Sequence, residues 1–90
     1  MAIEGTFSEA GSSGWIKGKF VRVIMDFAGA SSVDIEEKGH NGNAVKIQDA
    51  TGITADCVYI YYNPLVGEIR LTCTNYVGNV VYSLENTPPY

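Results

Sequence analysis

His40 is the one histidine of this 90-residue chain. It lies in Gly39-His40-Asn41-Gly42-Asn43, with no nucleophile beside it. A general base needs a partner group and a pocket, so His40 reads as an exposed turn residue. The serines of Gly11-Ser12-Ser13-Gly14 do not form a nucleophile elbow. That motif places its serine on a sharp strand-to-helix turn, and no helical pattern follows here. Asp34, Glu36 and Glu37 gather three acids in one short stretch. Asp34 and Glu36 share a strand face, and Glu37 points away or leaves the strand. Paired carboxylates suit a glycosidase or a hard cation, but calcium loops collect their acids in a glycine-containing loop. A solvated strand face is the expectation. Cys57 and Cys73 have no histidine or further cysteine near them, which is not a zinc pattern. They are expected to be free, buried thiols. No catalytic residue, metal site or cofactor is expected, and the chain does not read as an enzyme.

Aromatic and apolar residues offer binding instead of chemistry. Tyr59, Tyr61, Tyr62, Tyr76 and Tyr82 enrich the second half. Rows of rings can stack sugars or bases, fill a core or meet another subunit. Trp15 is either a lid on the end of the core or an anchor at an interface. Ile3 and Phe7 are the apolar residues of a Gly/Ser-rich start. Pro89 and Tyr90 end the chain. The candidate partner-binding set is therefore Ile3, Phe7, Trp15, Tyr61, Tyr62, Pro89 and Tyr90.

The elements that position these residues are strands. Lys19 to Phe27 alternates with Val21, Val23, Met25 and Phe27 on one face, a period of two. Val33 and Ile35 alternate with Asp34 and Glu36. Val45 and Ile47 follow across an Asn41-Gly42 turn, the strongest short hairpin signal. Ile53 to Tyr62 is rich in β-branched and aromatic residues, and Asn63-Pro64 is expected to stop it. Ile69, Leu71 and Cys73 form the next face, and Val80, Tyr82 and Leu84 the last. The expectation is an all-β fold, a single antiparallel β-sandwich or small barrel of six to seven short strands with extended termini. Residues 1–14 read as a flexible N-terminal arm, 15–85 as the sandwich and 86–90 as an extended tail.

Composition narrows the partners. Apolar residues make up 46% and charged residues 18%, with a net charge of −4. Only Lys17, Lys19 and Arg22 cluster among the bases, too few to displace counterions from nucleic acid. No apolar run approaches the ~20 residues of a membrane span. Met1-Ala2-Ile3-Glu4-Gly5 carries an acid at once, unlike a secretory leader, so a protein that is not secreted is expected.

Two stretches carry a likeness. One is Gly18-Lys19-Phe20-Val21-Arg22-Val23-Ile24 leading to Val33-Asp34-Ile35-Glu36-Glu37. The other, more specific, holds Gly67, Arg70, Leu71, Cys73, Thr74, Tyr76, Gly78 and Val80 in register. Together they resemble small virion structural proteins of tailed bacteriophages. The chain departs from that pattern at Glu68-Ile69, where an aromatic usually precedes the arginine. It also has Gly39-His40-Asn41-Gly42-Asn43 where the family has an Asp-Gly-Gly-Thr-Trp turn. The resemblance implies a capsid decoration (cement) protein, ahead of a tail or head–tail component, assembled in the host cytoplasm and residing in the virion. Its partners would be the major capsid protein or other virion subunits. A homo-oligomer is expected, with a trimer among its forms, and neither nucleic acid nor membrane is an expected partner. Alternatives from other classes are a carbohydrate-binding or host-interaction module, and a secreted two-cysteine effector with a Cys57–Cys73 bridge.

Overall fold

The computed structural model describes residues 2–86. These form seven strands and no helix: β1 (Ala2–Phe7), β2 (Gly11–Ser12), β3 (Ile16–Phe27), β4 (Ser32–Lys38), β5 (Ala44–Lys46), β6 (Cys57–Asn75) and β7 (Val80–Asn86). Every pairing is antiparallel, in one sheet of order β1-β7-β3-β6-β4-β5 with β2 added to β6. The all-β expectation holds.

Two strands are long where short ones were expected, β3 with 12 residues and β6 with 19. Nineteen extended residues would reach roughly 60 Å. The longest dimension of the molecule is 35 Å, so β6 must bend. It does so at 63–66. Gly18 pairs with Gly67 and Phe20 with Tyr62, so four residues of β6 bulge opposite Lys19 alone. Pro64 therefore does not end the strand, as was expected, but sits in this bulge, where no ladder hydrogen bond is required of it. The first half of β6 pairs with β3, and the second half pairs mainly with β4. The sheet thereby folds over on itself, in the manner of a small sandwich or barrel.

One core lies inside this fold. Val21, Val23 and Met25 of β3 meet Val33 and Ile35 of β4, Ile69, Leu71 and Cys73 of β6, and Val80 and Leu84 of β7, all essentially inaccessible. These are the alternating sets of the sequence pattern. Each such side chain contributes of order 1.5–3 kcal/mol on burial. The Asn41-Gly42 hairpin forms, joining β4 to β5 with Glu36 opposite Lys46, and Gly42 has φ 80°.

The N-terminal arm is corrected. Ala2–Phe7 pairs residue for residue with β7, from Ala2 opposite Glu85 to Phe7 opposite Val80. Its alternation of Ile3, Gly5 and Phe7 faces the core, and the Phe7 ring lies 4.7 Å from Tyr82. Gly11–Ser12 adds to β6, and Ser13 exchanges two hydrogen bonds with the Leu71 backbone. A Gly/Ser-rich composition hid a strand because its two apolar residues fall at the right period. At the other end Asn86 closes β7 and donates to the Lys17 carbonyl. Of the expected tail, 87–90 lie outside the described residues.

Candidate protein-binding face

The two halves of β6 present very different outer surfaces. On the second half Arg70 and Thr72 point outward, and both meet Glu36 of β4: Arg70 Nε donates at 2.9 Å and the Thr72 hydroxyl at 2.5 Å to the same Oε1. Ser12 adds a hydroxyl contact to Thr72 at 2.9 Å. The Trp15 ring is half-buried between two cations, Arg70 at 4.7 Å and Lys38 at 4.9 Å from its centroid. Lys38 pairs in turn with Glu68 at 2.9 Å. Asp34 accepts from the Gly52 backbone and pairs with Lys46.

This corrects the solvated acid face. Asp34 is 4% exposed and Glu36 8%, because the turn after β5 covers the first and the Arg70 side chain the second. Burial alone would raise the Glu36 carboxyl. The Thr72 hydroxyl and the Arg70 hydrogen bond and charge outweigh it and hold the carboxyl below its ordinary range. Each carboxylate is already committed to a cation, so the pair is poorly placed for acid–base work on a substrate. Trp15 is likewise engaged within its own chain.

The first half of β6 is the opposite case. Val58, Ile60 and Tyr62 point outward and are 58%, 56% and 55% exposed. Beside them on β3 stand Ile24, Arg22 and Phe20, in that order. The Phe20 and Tyr62 rings meet at 4.6 Å. Val81, also exposed, lies on β7 opposite Asp26. At the bulge Leu65 projects with 87% of its surface in solvent, and Val66 follows with 43%. From Cys57 to Gly67 there is no charged residue.

The bulge is held from beneath. Asn63 donates to the Tyr61 hydroxyl at 3.1 Å and accepts from the Leu65 backbone at 2.9 Å. Tyr61 lies so close over Gly67 that any β-carbon there would collide with its hydroxyl. Burial, with Glu37 nearby, pushes the Tyr61 hydroxyl up against the pull of Asn63. Val66 takes φ 62°, a conformation a β-branched residue adopts only when its surroundings impose it.

The candidate binding residues are thus divided. Phe7 and Tyr61 are core residues at 6% and 4% exposure, and Ile3 is half-buried against the same core. Their side chains pack within this chain. Tyr62 is on the exposed face. Pro89 and Tyr90 lie outside the described residues. Val58, Ile60, Leu65, Val66 and Val81 were missed. The signal for Val58 and Ile60 is that both alternating sets of 57–62 are apolar, while a small fold has only one core to bury one of them.

Tyr59 and Tyr61 turn inward, so the three tyrosines do not form one aromatic platform for a sugar. Cys57 and Cys73 are free thiols, without the bridge of a two-cysteine effector. Burial raises both thiols, and Asp56 adds to the effect at Cys57. His40 is exposed in its turn. No group of three metal-ligating side chains occurs among the described residues, and no helix is long and apolar enough to cross a membrane. The residues that carry the virion-protein likeness build architecture: Leu71, Cys73 and Val80 are core, and Arg70 holds Glu36. No family model matches the chain, and no curated protein or solved structure does either.

Proposed function

We propose that this chain is a non-enzymatic assembly protein that works by burying the outer face of β3 and β6 against other protein subunits. The observation that carries the reading is the row Val58, Ile60 and Tyr62, each more than half exposed, where the outer side of the second half of β6 is instead paired with Glu36. Contiguous exposed apolar side chains on a small domain mark a surface that another protein covers. Its aromatic and aliphatic composition with few charges is that of an interface centre.

The finer form of the proposal is a virion structural protein, with capsid decoration first. Two features support it: the Gly67-to-Val80 likeness and an acidic balance, net charge −4, suited to the outside of a shell. The binding surface is the sheet face, in place of the N-terminal arm.

The test is compositional and then mutational. Mass spectrometry of purified virus particles from cells carrying this gene should find the chain in a fixed, repeated copy number. Shells lacking it should bind the added protein, and Val58→Asp or Val81→Asp should weaken that binding at least tenfold with an unchanged circular dichroism spectrum. Absence of the chain from particles, or full binding by both variants, overturns the virion reading.

A further inference from the structure

The edge of the first half of β6 is open. Val58–Tyr62 pairs with β3 on one side, and β4 reaches β6 only from Ile69 onward. No described strand pairs with the other side. An open edge normally carries charge, proline or a very short run that discourages pairing. The other open edges comply: β1 carries Glu4, and β5 has three residues including Lys46. The β6 edge has no charge and its side chains suit a sheet.

We infer that this edge pairs with the same edge of a second copy, antiparallel about a twofold axis at Ile60, so that two sheets join into one. The inference rests on the proposed function in taking this region as a binding surface, and it names the first partner as the chain itself.

The symmetry is what favours a second copy over an unrelated strand. An axis at Ile60 sets Val58 against the partner's Tyr62 and Tyr59 against the partner's Tyr61, with no like charges opposed. Leu65, 87% exposed, projects from the bulge just beyond the end of this ladder. Pro64 falls opposite Asp56, beyond the end of the ladder, where its missing N–H costs nothing. Edge pairing joins the backbones of Val58–Tyr62 and leaves their outward side chains on the sheet face, so the pair is held by ladder hydrogen bonds and by side-chain contacts between cross-strand neighbours. The outer face, with Phe20, Ile24 and Val81, stays open in the pair for a further partner.

Sedimentation of the purified full chain tests this directly. The wild type is expected to move from monomer to dimer with rising concentration. Ile60→Lys and Leu65→Asp should each weaken association at least tenfold, with unchanged circular dichroism. Ile60→Cys should form a covalent dimer with a short thiol-specific cross-linker, because the axis brings position 60 onto itself. Val81→Cys should not. A wild type that stays monomeric at several hundred micromolar overturns the inference. So does a dimer indifferent to both charge variants, or one that cross-links at 81 and not at 60. A monomer that still binds purified particles would remove the edge pairing and leave the proposed function standing.

Discussion

Tyr62 and Phe20 face each other across β6 and β3 with their rings 4.6 Å apart and tilted by 39°, on the solvent side of the sheet. The residue before Tyr62, Tyr61, is 4% exposed on the core side. Two adjacent tyrosines therefore have opposite roles. A double-mutant cycle with Phe20→Ala and Tyr62→Ala should give a coupling of about 0.5–1 kcal/mol, the range for a cross-strand aromatic pair. Urea denaturation measures it. Tyr61→Ala alone should cost about 3 kcal/mol or more, as a buried aromatic does.

Phe7 makes the N-terminal strand part of the folding unit. Phe7→Ala should destabilise the domain by about 3 kcal/mol, and removal of residues 1–14 should leave β7 with an open edge and a chain that fails to fold cooperatively. The checks are the urea midpoint for the first and the loss of a sigmoidal transition for the second. A truncated chain with wild-type stability would contradict the pairing of β1 with β7.

Much of this fold was legible because a period of two survives noisy composition. Val21, Val23 and Met25, and then Ile69, Leu71 and Cys73, alternate cleanly, and each set is core. Two things were not legible. Ile3 and Phe7 sit among glycines and serines, and local composition outweighed a strand whose stability comes from β7, far away in sequence. Pro64 reads as a terminator because proline lacks a donor. In a bulge no donor is required, and only the pairing of Gly67 with Gly18 reveals it. The binding face was harder still. Alternation says that 57–62 has two faces, but which one meets the core depends on the bend that follows.

Glu36 makes stability depend on acid. Its folded carboxyl is held below the ordinary range by Thr72 and Arg70, so the unfolded chain binds that proton more readily. The contribution is complete above the unfolded carboxylate value of about 4.3 and is lost as pH falls through the folded value. Glu36→Gln should therefore be less stable than wild type at pH 7, with the gap narrowing toward pH 3. Arg70→Met should cost about 2–3 kcal/mol at pH 7. That lies below the range for a fully buried pair, since Arg70 keeps 27% of its side chain exposed. Urea midpoints across pH 3–7 check both.

Cys57 and Cys73 are free, and burial raises both thiols. The thiolate is the reactive form. At pH 8 both should react with a disulfide reagent at least tenfold more slowly in the native protein than in urea. Cys57, half-buried, should react before Cys73. Two equivalents released in urea would confirm that no bridge exists, and none would contradict the free-thiol state.

Val66 connects stability to assembly. At φ 62° its branched side chain occupies a region that costs an L-residue about 1–2 kcal/mol and costs glycine little. Part of that gain is returned by the greater freedom of glycine in the unfolded chain. Val66→Gly should therefore stabilise the monomer by about 0.5–1 kcal/mol. It also removes an apolar side chain from the rim of the β6 edge, so self-association should weaken severalfold. A stability gain alone would mean that the strain is real but Val66 touches no partner. Loss of stability would mean that contacts beneath the bulge outweigh the backbone cost. Opposite signs in the two measurements are what use of the exposed Val66 side chain by a second copy predicts. Thermal denaturation in dilute solution reads the first sign, and sedimentation at high concentration reads the second.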